Sequence, residues 1–494
     1  MSLTQFKPES PDGSREDVAN TDLSVEVLSD DSEGQVGPVG PGLGSWLSRR
    51  RISGMLFRTL LAVLIGSLIL RVASQAMGQM LQFYLAHIDR HYFNISYTAR
   101  GFITASFFVT ELLGSLVLGA LSDRYGRRVF IILGPVFGAI AVQIAAMTTA
   151  IWLLVVTRLL AGLSTASSIP ATLGYISEVT SGRPKLRARI VGLFEITLFG
   201  GIAIGAEVAG SLFRAFGRRE ADVAGVHLMC PAFSLNALIF LVSLAVFAWG
   251  LRGLKEKTSD SGSLEPAHRQ LVQMISSVLQ HYRTILRSRN VWQFVPAWLA
   301  INSIIGLWVN HSVGLMSGKD QFARQLLTGN ISEAKVGHVF FILYVLFAIG
   351  VLAWSFILGR YRRTTMMMIA TGGLFATLLA IYGLNHLESF SSPMYQPLLG
   401  GLAIGLLVLS GFTPAALTYL ADVTEGQTSD RGSIMGLYAV FLGIGQLVGI
   451  SLGGKFASWA GIDGLVVLSA LLGLITALTL IVLRRQEAPV LVSA

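Results

Sequence analysis

Twelve stretches of this chain are long and apolar enough to cross a lipid bilayer, and they constrain its fold more than any motif does. They cover 56–84, 97–120, 129–148, 151–176, 188–212, 230–251, 291–316, 336–358, 364–384, 395–421, 432–457 and 463–483. A spanning helix needs about 20 predominantly apolar residues. Hydrocarbon offers no water to the backbone, so every N–H and C=O must bond within the protein, and helices meet that demand segment by segment. Composition agrees. Only 13% of the 494 residues are charged, about half the usual share of a soluble domain, and the mean hydropathy is +0.64. The expected fold is an all-α polytopic membrane protein with twelve transmembrane helices, which excludes a soluble globular enzyme. One cysteine, Cys230, rules out a disulfide framework and any multi-cysteine metal site. No metal and no cofactor are expected.

The net charge of +9 is unevenly spread. Residues 1–45 carry nine acids and two bases and are rich in Ser, Gly and Pro, the composition of a disordered tail. A basic collar, Arg49–Arg51, follows, so 1–54 is set apart as a tail. The polar stretch 253–290, with an amphipathic helix expected near 265–288, separates a six-helix half over 55–252 from a second over 291–485. Residues 486–494 form a short C-terminal tail. Cytoplasmic loops of membrane proteins are enriched in Lys and Arg. Placing the N-terminus inside collects Arg124, Arg127, Arg128, Arg183, Lys185, Arg187, Arg189, Arg360, Arg362, Arg363, Arg431, Arg484 and Arg485 on the inner side. Arg90, Arg100, Arg214, Arg218, Arg219, Lys319, Arg324, Lys335 and Lys455 fall outside, with the sequons Asn94 and Asn330. Both termini are thus expected in the cytoplasm, in a multi-pass protein of the cell membrane. The basic excess lies in loops beside spans, so it points to the bilayer and not to nucleic acid.

The two halves share sequence. Pro170-Ala-Thr-Leu-Gly-Tyr-Ile-Ser-Glu178-Val-Thr aligns without a gap with Pro414-Ala-Ala-Leu-Thr-Tyr-Leu-Ala-Asp422-Val-Thr, and the register holds to Gly210 and Gly454, with 15 identities in 41 positions. Shared Pro, Tyr, Arg and Gly are not explained by a common apolar bias. Two parallel six-helix repeats place a binding site between the halves near the membrane midplane, reached alternately from each side.

Between the second and third runs stands Gly119-Ala-Leu-Ser-Asp123-Arg124-Tyr-Gly126-Arg127-Arg128. It resembles the loop signature of the major facilitator superfamily, and the resemblance extends over roughly 55–485. Gly359-Arg360-Tyr361-Arg362-Arg363 is a reduced copy without the Asp. The resemblance implies a gating role for Asp123, bonded to the amino terminus of helix 11 near Gly432–Ser433, where a carboxylate meets the positive end of a helix dipole. Gly119 and Gly126 permit close packing and a tight turn, while Arg124, Arg127 and Arg128 either join the gate or fix topology. Arg158-Leu-Leu-Ala-Gly162 resembles the superfamily's helix 4 pattern, which implies proton or substrate coupling at Arg158. Helix 5 lacks the Gly-Pro pair of the superfamily's drug/proton antiporters, and the sugar-porter pattern after helix 6 is missing.

Polar residues inside spans are costly and therefore read as functional candidates. Arg71, Gln75, Gln79 and Gln82 follow helical spacing and share one face of the first span. The resemblance implies that helices 1, 4, 7 and 10 surround the cavity, so Arg71, Gln75, Gln79, Arg158, Asn302, Trp308 and Asn310 are the substrate-cavity candidates. Glu111, Glu195 and Glu207 are read as buried acids and are the candidates for carrying a proton. His311 is read as a hydrogen-bonded structural residue. Gly201-x-x-x-Gly205 and Gly445-x-x-x-Gly449 suit close helix packing. Gly449-Ile-Ser-Leu-Gly-Gly-Lys455 imitates a phosphate-binding loop, but Phe456 and the apolar setting exclude that reading. Energy should therefore come from a gradient. The leading expectation is a secondary transporter, working as a monomer, that exports amphipathic or drug-like small molecules in exchange for protons. An importer of small organic anions or nutrients, and a non-transporting receptor on the same fold, are the alternatives.

Overall fold

The computed structural model describes residues 54–180, 184–223, 225–252, 289–318, 322, 324–329, 331–357, 361–423 and 431–486. The acidic tail, the expected amphipathic helix at 265–288, Asn330 and the last residues lie outside these. The first six helices are α1 (Gly54–His91), α2 (Tyr97–Tyr125), α3 (Arg127–Ala146), α4 (Ile151–Val179), α5 (Pro184–Phe216) and α6 (Pro231–Gly250). A short antiparallel hairpin, β1 (Ala221–Val223) and β2 (Val226–Leu228), joins α5 to α6. The second half holds α7, α8 (Glu333–Ser355), α9 (Arg363–Asn385) and α10, then one long helical element. We call the end carrying Asp123 the inner end and the end carrying the hairpin the outer end, following the arginine bias.

Eleven helices among the described residues are long and apolar enough to span a membrane. The twelfth expected span is hidden in the last of them. Arg431–Gln486 is continuous except at Ala460 and Gly461, where φ of Gly461 is +60° and the chain turns. The part before this break is α11 and the part after it is α12. A left-handed φ favours glycine, and no polar loop is needed because Gln325 supplies the missing bonds. Its side-chain oxygen accepts from Ile462 N at 3.0 Å, and its Nε2 donates to Ala460 O at 2.8 Å.

Two further spans are interrupted. α7 runs over Arg289–Leu307, passes through a π-helical turn at Trp308–Ser312 and resumes at Val313–Ser317. α10 is split into Tyr395–Leu409 and Phe412–Val423. Pro414 explains the second break: it offers no N–H to Ser410 O, and its ring crowds that carbonyl. The Leu407 carbonyl beside the break accepts from Trp354 Nε1 at 2.9 Å, so the break leaves no orphan there.

The repeat is visible in the packing. Gly201 and Gly205 of α5 lie on α1, where a Cβ at either would stand 2.7 Å from the Cβ of Arg71 or Gln75. Gly445 and Gly449 of α11, their repeat equivalents, lie on α7 against Asn302 Cβ and Ser303 O at 2.7 and 1.9 Å. The halves meet by the same rule. A Cβ on Gly337 of α8 would stand 2.7 Å from Ala206 O of α5, and one on Gly101 of α2 would stand 2.9 Å from Ile450 O of α11. Ala206 and Ile450 are equivalent positions of the repeat. Small residues let backbones approach this closely in membranes.

Candidate functional site

The Arg-x-x-x-Gly pattern of α4 builds the centre of the site. Gly162 has no room for a side chain: a Cβ there would stand 2.0 Å from Thr110 Oγ1 and 2.4 Å from Phe107 O. Thr110 Oγ1 donates across the same crossing to Leu159 O at 2.9 Å. This contact presses α4 onto α2 and sets Arg158, one turn away, above the Phe107 ring at 4.7 Å. Arg158 is 5% exposed, its Nε has no bonding partner among the described residues, and its guanidinium faces Gly78 of α1.

Gln79 lies one residue beyond Gly78 and is 4% exposed. Neither atom of its amide meets a partner among the described residues. Leaving a buried amide unbonded costs about 1–3 kcal/mol. Such a residue is retained against that cost when a ligand or solvent uses it. Gln79→Leu should therefore raise the apparent melting temperature of the purified protein while weakening substrate binding. A fall in both would make Gln79 a packing residue.

Two carboxylates act on these cations without closing on them. Glu111 acts on Arg158 and Arg71, and Glu195 acts on Arg71. Among the described residues no carboxylate comes within 4.0 Å of either guanidinium. The reading of three buried acids needs correction. Glu111 is half-buried, Glu195 is exposed, and Glu207 is half-buried with Oε2 3.0 Å from Nδ1 of His338 on α8.

The other cavity candidates are more occupied. Arg71 lines a cavity of about 20 Å³ with Ser67, Ser74, Thr165 and Ser168, room for a water-sized group and far short of a drug-sized ligand. Gln75 Nε2 donates to Tyr344 Oη of α8 at 3.5 Å, and Gln82 Nε2 to Thr104 Oγ1 at 2.8 Å. Asn302 and Asn310 donate to carbonyls of their own helix, Trp298 O and Gly306 O, each at 2.8 Å. Trp308 Nε1 donates to Ser469 Oγ of α12 at 2.8 Å. His311 Nε2 lies 2.8 Å from Ile450 O, so this buried ring joins the π-helical turn to α11. The structure thus brings Glu111 within the influence of both Arg158 and Arg71, leaves Gln79 buried on α1 next to the glycine that Arg158 faces, and ties Asn302, Asn310 and Trp308 into the C-terminal half.

At the inner end the signature loop is a staple. Gly126 has φ +95°, a conformation that favours glycine, and it lets α2 pass directly into α3. Gly119 rests on Pro170 of α4. Arg127 Nη2 meets Asp123 Oδ1 at 2.7 Å, and its Nε meets Glu178 Oε2 at 3.2 Å. To reach Glu178 the guanidinium lies over Gly174, where any side chain would collide with it. Arg127 therefore joins α2 to α4 inside one half. Arg124 stands over the Tyr125 ring at 5.5 Å, and both Arg124 and Arg128 have interaction partners. The side chains around Gly432–Ser433, the expected partner of Asp123, lie outside the described residues. The exposed Asp123 is expected to bias the state equilibrium: Asp123→Asn should slow turnover more than it weakens binding, read as separate kcat and Kd values. Equal loss of both would count against gating.

The outer end carries ion pairs that sequence reading did not assign. Arg218, after α5, forms a two-pronged pair with Glu333 at the start of α8, with Nη2 at 2.6 and 2.7 Å from the two oxygens and Nε at 3.1 Å. Glu333 is 6% exposed and Arg218 52%. Arg90 Nη2 donates to Ser317 O at 2.7 Å and also to Gly318 O, which closes α1 against the end of α7. Arg100, expected in an outer loop, is instead inside α2 and buried, paired with Asp89 at 3.1 Å. A buried charge demands such a partner. The only local signal for Glu333 is an acid in the first turn of a helix, which complements the dipole but does not name Arg218.

A family model described as Major Facilitator Superfamily matches residues 55–317 and again 300–492. Multidrug resistance protein 1 of Bacillus subtilis (strain 168) is 27% identical over 151 residues, 31% of this chain; the match spans about a third, 36%, of that relative. Multidrug resistance protein 2 of the same organism is 22% identical over 367 residues, 73% of this chain and 80% of the relative. The crystal structure of the nucleoside transporter NupG superposes with a TM-score of 0.62 at 13% identity, covering 86% of this chain and 98% of that one. Two six-helix halves, the glycine-built crossings and the signature loop agree with a model match over nearly all of the helical chain, and the chain belongs to the Major Facilitator Superfamily.

Proposed function

We propose that this transporter exports amphipathic, drug-like compounds in exchange for protons, by alternating access between its two halves. The observation that carries the reading is the buried Arg158 guanidinium, whose Nε has no partner among the described residues, with the half-buried Glu111 acting on it and the buried, likewise unpartnered amide of Gln79 on the facing helix α1. A carboxylate beside a cation that it does not contact can exchange a proton without first breaking an ion pair. The Phe107 ring beneath the Arg158 guanidinium supplies an aromatic face for an amphipathic ligand. The names of the two Bacillus subtilis relatives, both multidrug resistance proteins, point the same way. Inter-half closures at Arg218–Glu333 and the two glycine crossings stand at the outer end, which suits a state that loads from inside. We place the protein in the cell membrane with both termini cytoplasmic, acting as a monomer.

Proteoliposomes with an imposed pH gradient test this. A lipophilic cation should move toward the acidic side, and a protonophore should abolish the movement. Transport indifferent to the gradient would reject proton coupling. A second reading rests on the two cations Arg71 and Arg158: import of a small organic anion or nutrient. Thermal shift at pH 6 and pH 8 separates the two, because a ligand that binds the folded state raises its melting point. Stabilisation by small anions, lost in Arg71→Ala, would favour import.

A further inference from the structure

We propose that the inner ends of α9 and α12 form a binding site for the headgroup of an anionic membrane phospholipid. A recess of about 360 Å³ opens there, lined by Arg362, Arg484, Arg485, Met368 and Ile481. Three guanidinium groups from two segments far apart in sequence converge on it, and its lining holds no carboxylate. Arg362 is the cap residue just before α9, and it makes no side-chain capping bond to the amides of the first turn. The positive end of the helix thus adds to the arginine charges. Arg484 Nη1 approaches Met368 Sδ at 3.7 Å, and a thioether is a weak acceptor. Among the described residues, Arg362, Arg484 and Arg485 form no ion pair.

The setting selects a lipid over a free anion. Ile481 forms one wall of the recess, and from it the outward face of α12 continues through exposed Leu478, Ile475 and Leu474, while Ile369 is exposed on α9. This apolar face leads from the arginines toward the membrane interior, the path of acyl chains below a phosphate. Basic pockets between helices on the cytoplasmic side bind anionic headgroups by this combination. Topology alone asks only that arginines sit near the interface; it does not ask two helices to bring them to one recess over an apolar floor. Arginine's planar fork matches phosphate oxygens in pairs.

Native mass spectrometry of the purified full-length protein, titrated with dioleoyl phosphatidylglycerol or dioleoyl phosphatidylcholine, tests the site. Wild type should retain the anionic lipid at several-fold higher occupancy. Arg484→Gln/Arg485→Gln should lose the preference, and Arg219→Gln, an exposed arginine at the outer end, should keep it. Equal occupancy of both lipids on wild type, or an undiminished preference in the double variant, would overturn the proposal. Displacement of the lipid by millimolar inorganic phosphate would also overturn it, by showing a free-anion site. Should the neutral variant fail to insert, Arg484→Lys/Arg485→Lys keeps the charge and removes the fork. Its phosphatidylglycerol occupancy should fall about threefold, and unchanged occupancy would reject paired phosphate recognition.

Discussion

Arg158→Ala is expected to cut transport about 100-fold while the protein remains folded. The guanidinium is buried, stacks over Phe107, and forms no ion pair among the described residues. Its removal leaves the helix crossing intact, because Gly162 and Thr110 hold α4 to α2 without it. What disappears is a charged donor in a low-dielectric site. A hydrogen bond to a charged group is worth about 1.5–3 kcal/mol, which corresponds to about 10- to 150-fold. Glu111 loses one of its two neighbouring cations in the same step, so coupling should suffer with turnover. Arg158→Lys keeps the charge and loses the planar fork, and it should recover part of the rate. Initial rates of gradient-driven transport, with melting curves on the same preparations, decide the matter. A wild-type rate in the alanine variant would reduce Arg158 to a packing partner of Phe107.

The second large effect is expected at the outer end. Glu333→Gln leaves Arg218 without its two-pronged partner and should shift the molecule toward opening at that end. Glu333 is buried, whereas Arg218 is about half exposed, so the pair is worth less than a fully buried one. About 1–2 kcal/mol is a fair scale for it, a shift of about five- to thirtyfold in the state ratio. Spin labels at Arg219→Cys and Lys335→Cys, both exposed beside the pair, report the separation of the two halves there. Cys230, the one native cysteine, is buried and would be replaced by serine. The distance distribution should gain a longer component in Glu333→Gln and return to the short one in the charge-swapped Arg218→Glu/Glu333→Arg. A distribution unchanged by Glu333→Gln would show that the glycine crossings alone hold the end closed.

Much of the fold could be read from sequence because the bilayer imposes it. Spans must be long and apolar, inner loops must be basic, and a duplicated chain repeats its prolines and glycines in register. The Gly126 turn was legible for a related reason, since its backbone favours a residue without a side chain, whereas the close crossing at Gly162 appeared only in the structure. What the sequence hid was long-range pairing. Nothing near Glu333 points to Arg218, 115 positions away, and nothing near Arg100 announces that Asp89 waits inside the protein. The break at Ala460–Gly461 falls between the expected spans 432–457 and 463–483; what stayed concealed is that Gln325, from a different loop, does the work that polar loop residues do elsewhere. The polar residues of α7 read as cavity candidates for sound energetic reasons, yet Asn302 and Asn310 meet the cost of burial by bonding their own helix. Periodicity can place a polar side chain on a face but cannot say which acceptor it finds.

Backbone-on-backbone contact at the outer crossings also sets how the two halves can turn. Side chains that interlock resist rotation, since each must change rotamer or climb over its neighbour. At Gly337 on Ala206 backbone meets backbone, and at Gly101 on Ile450 only the His311 ring stands beside the backbone contact. These contacts fix the separation of the helices while leaving their angle soft. They occupy matching places in a duplicated chain, so they flank the pseudo-twofold axis as a pair of plain bearings. A single ancestral helix crossing, copied once, would then furnish both joints on which the transporter pivots.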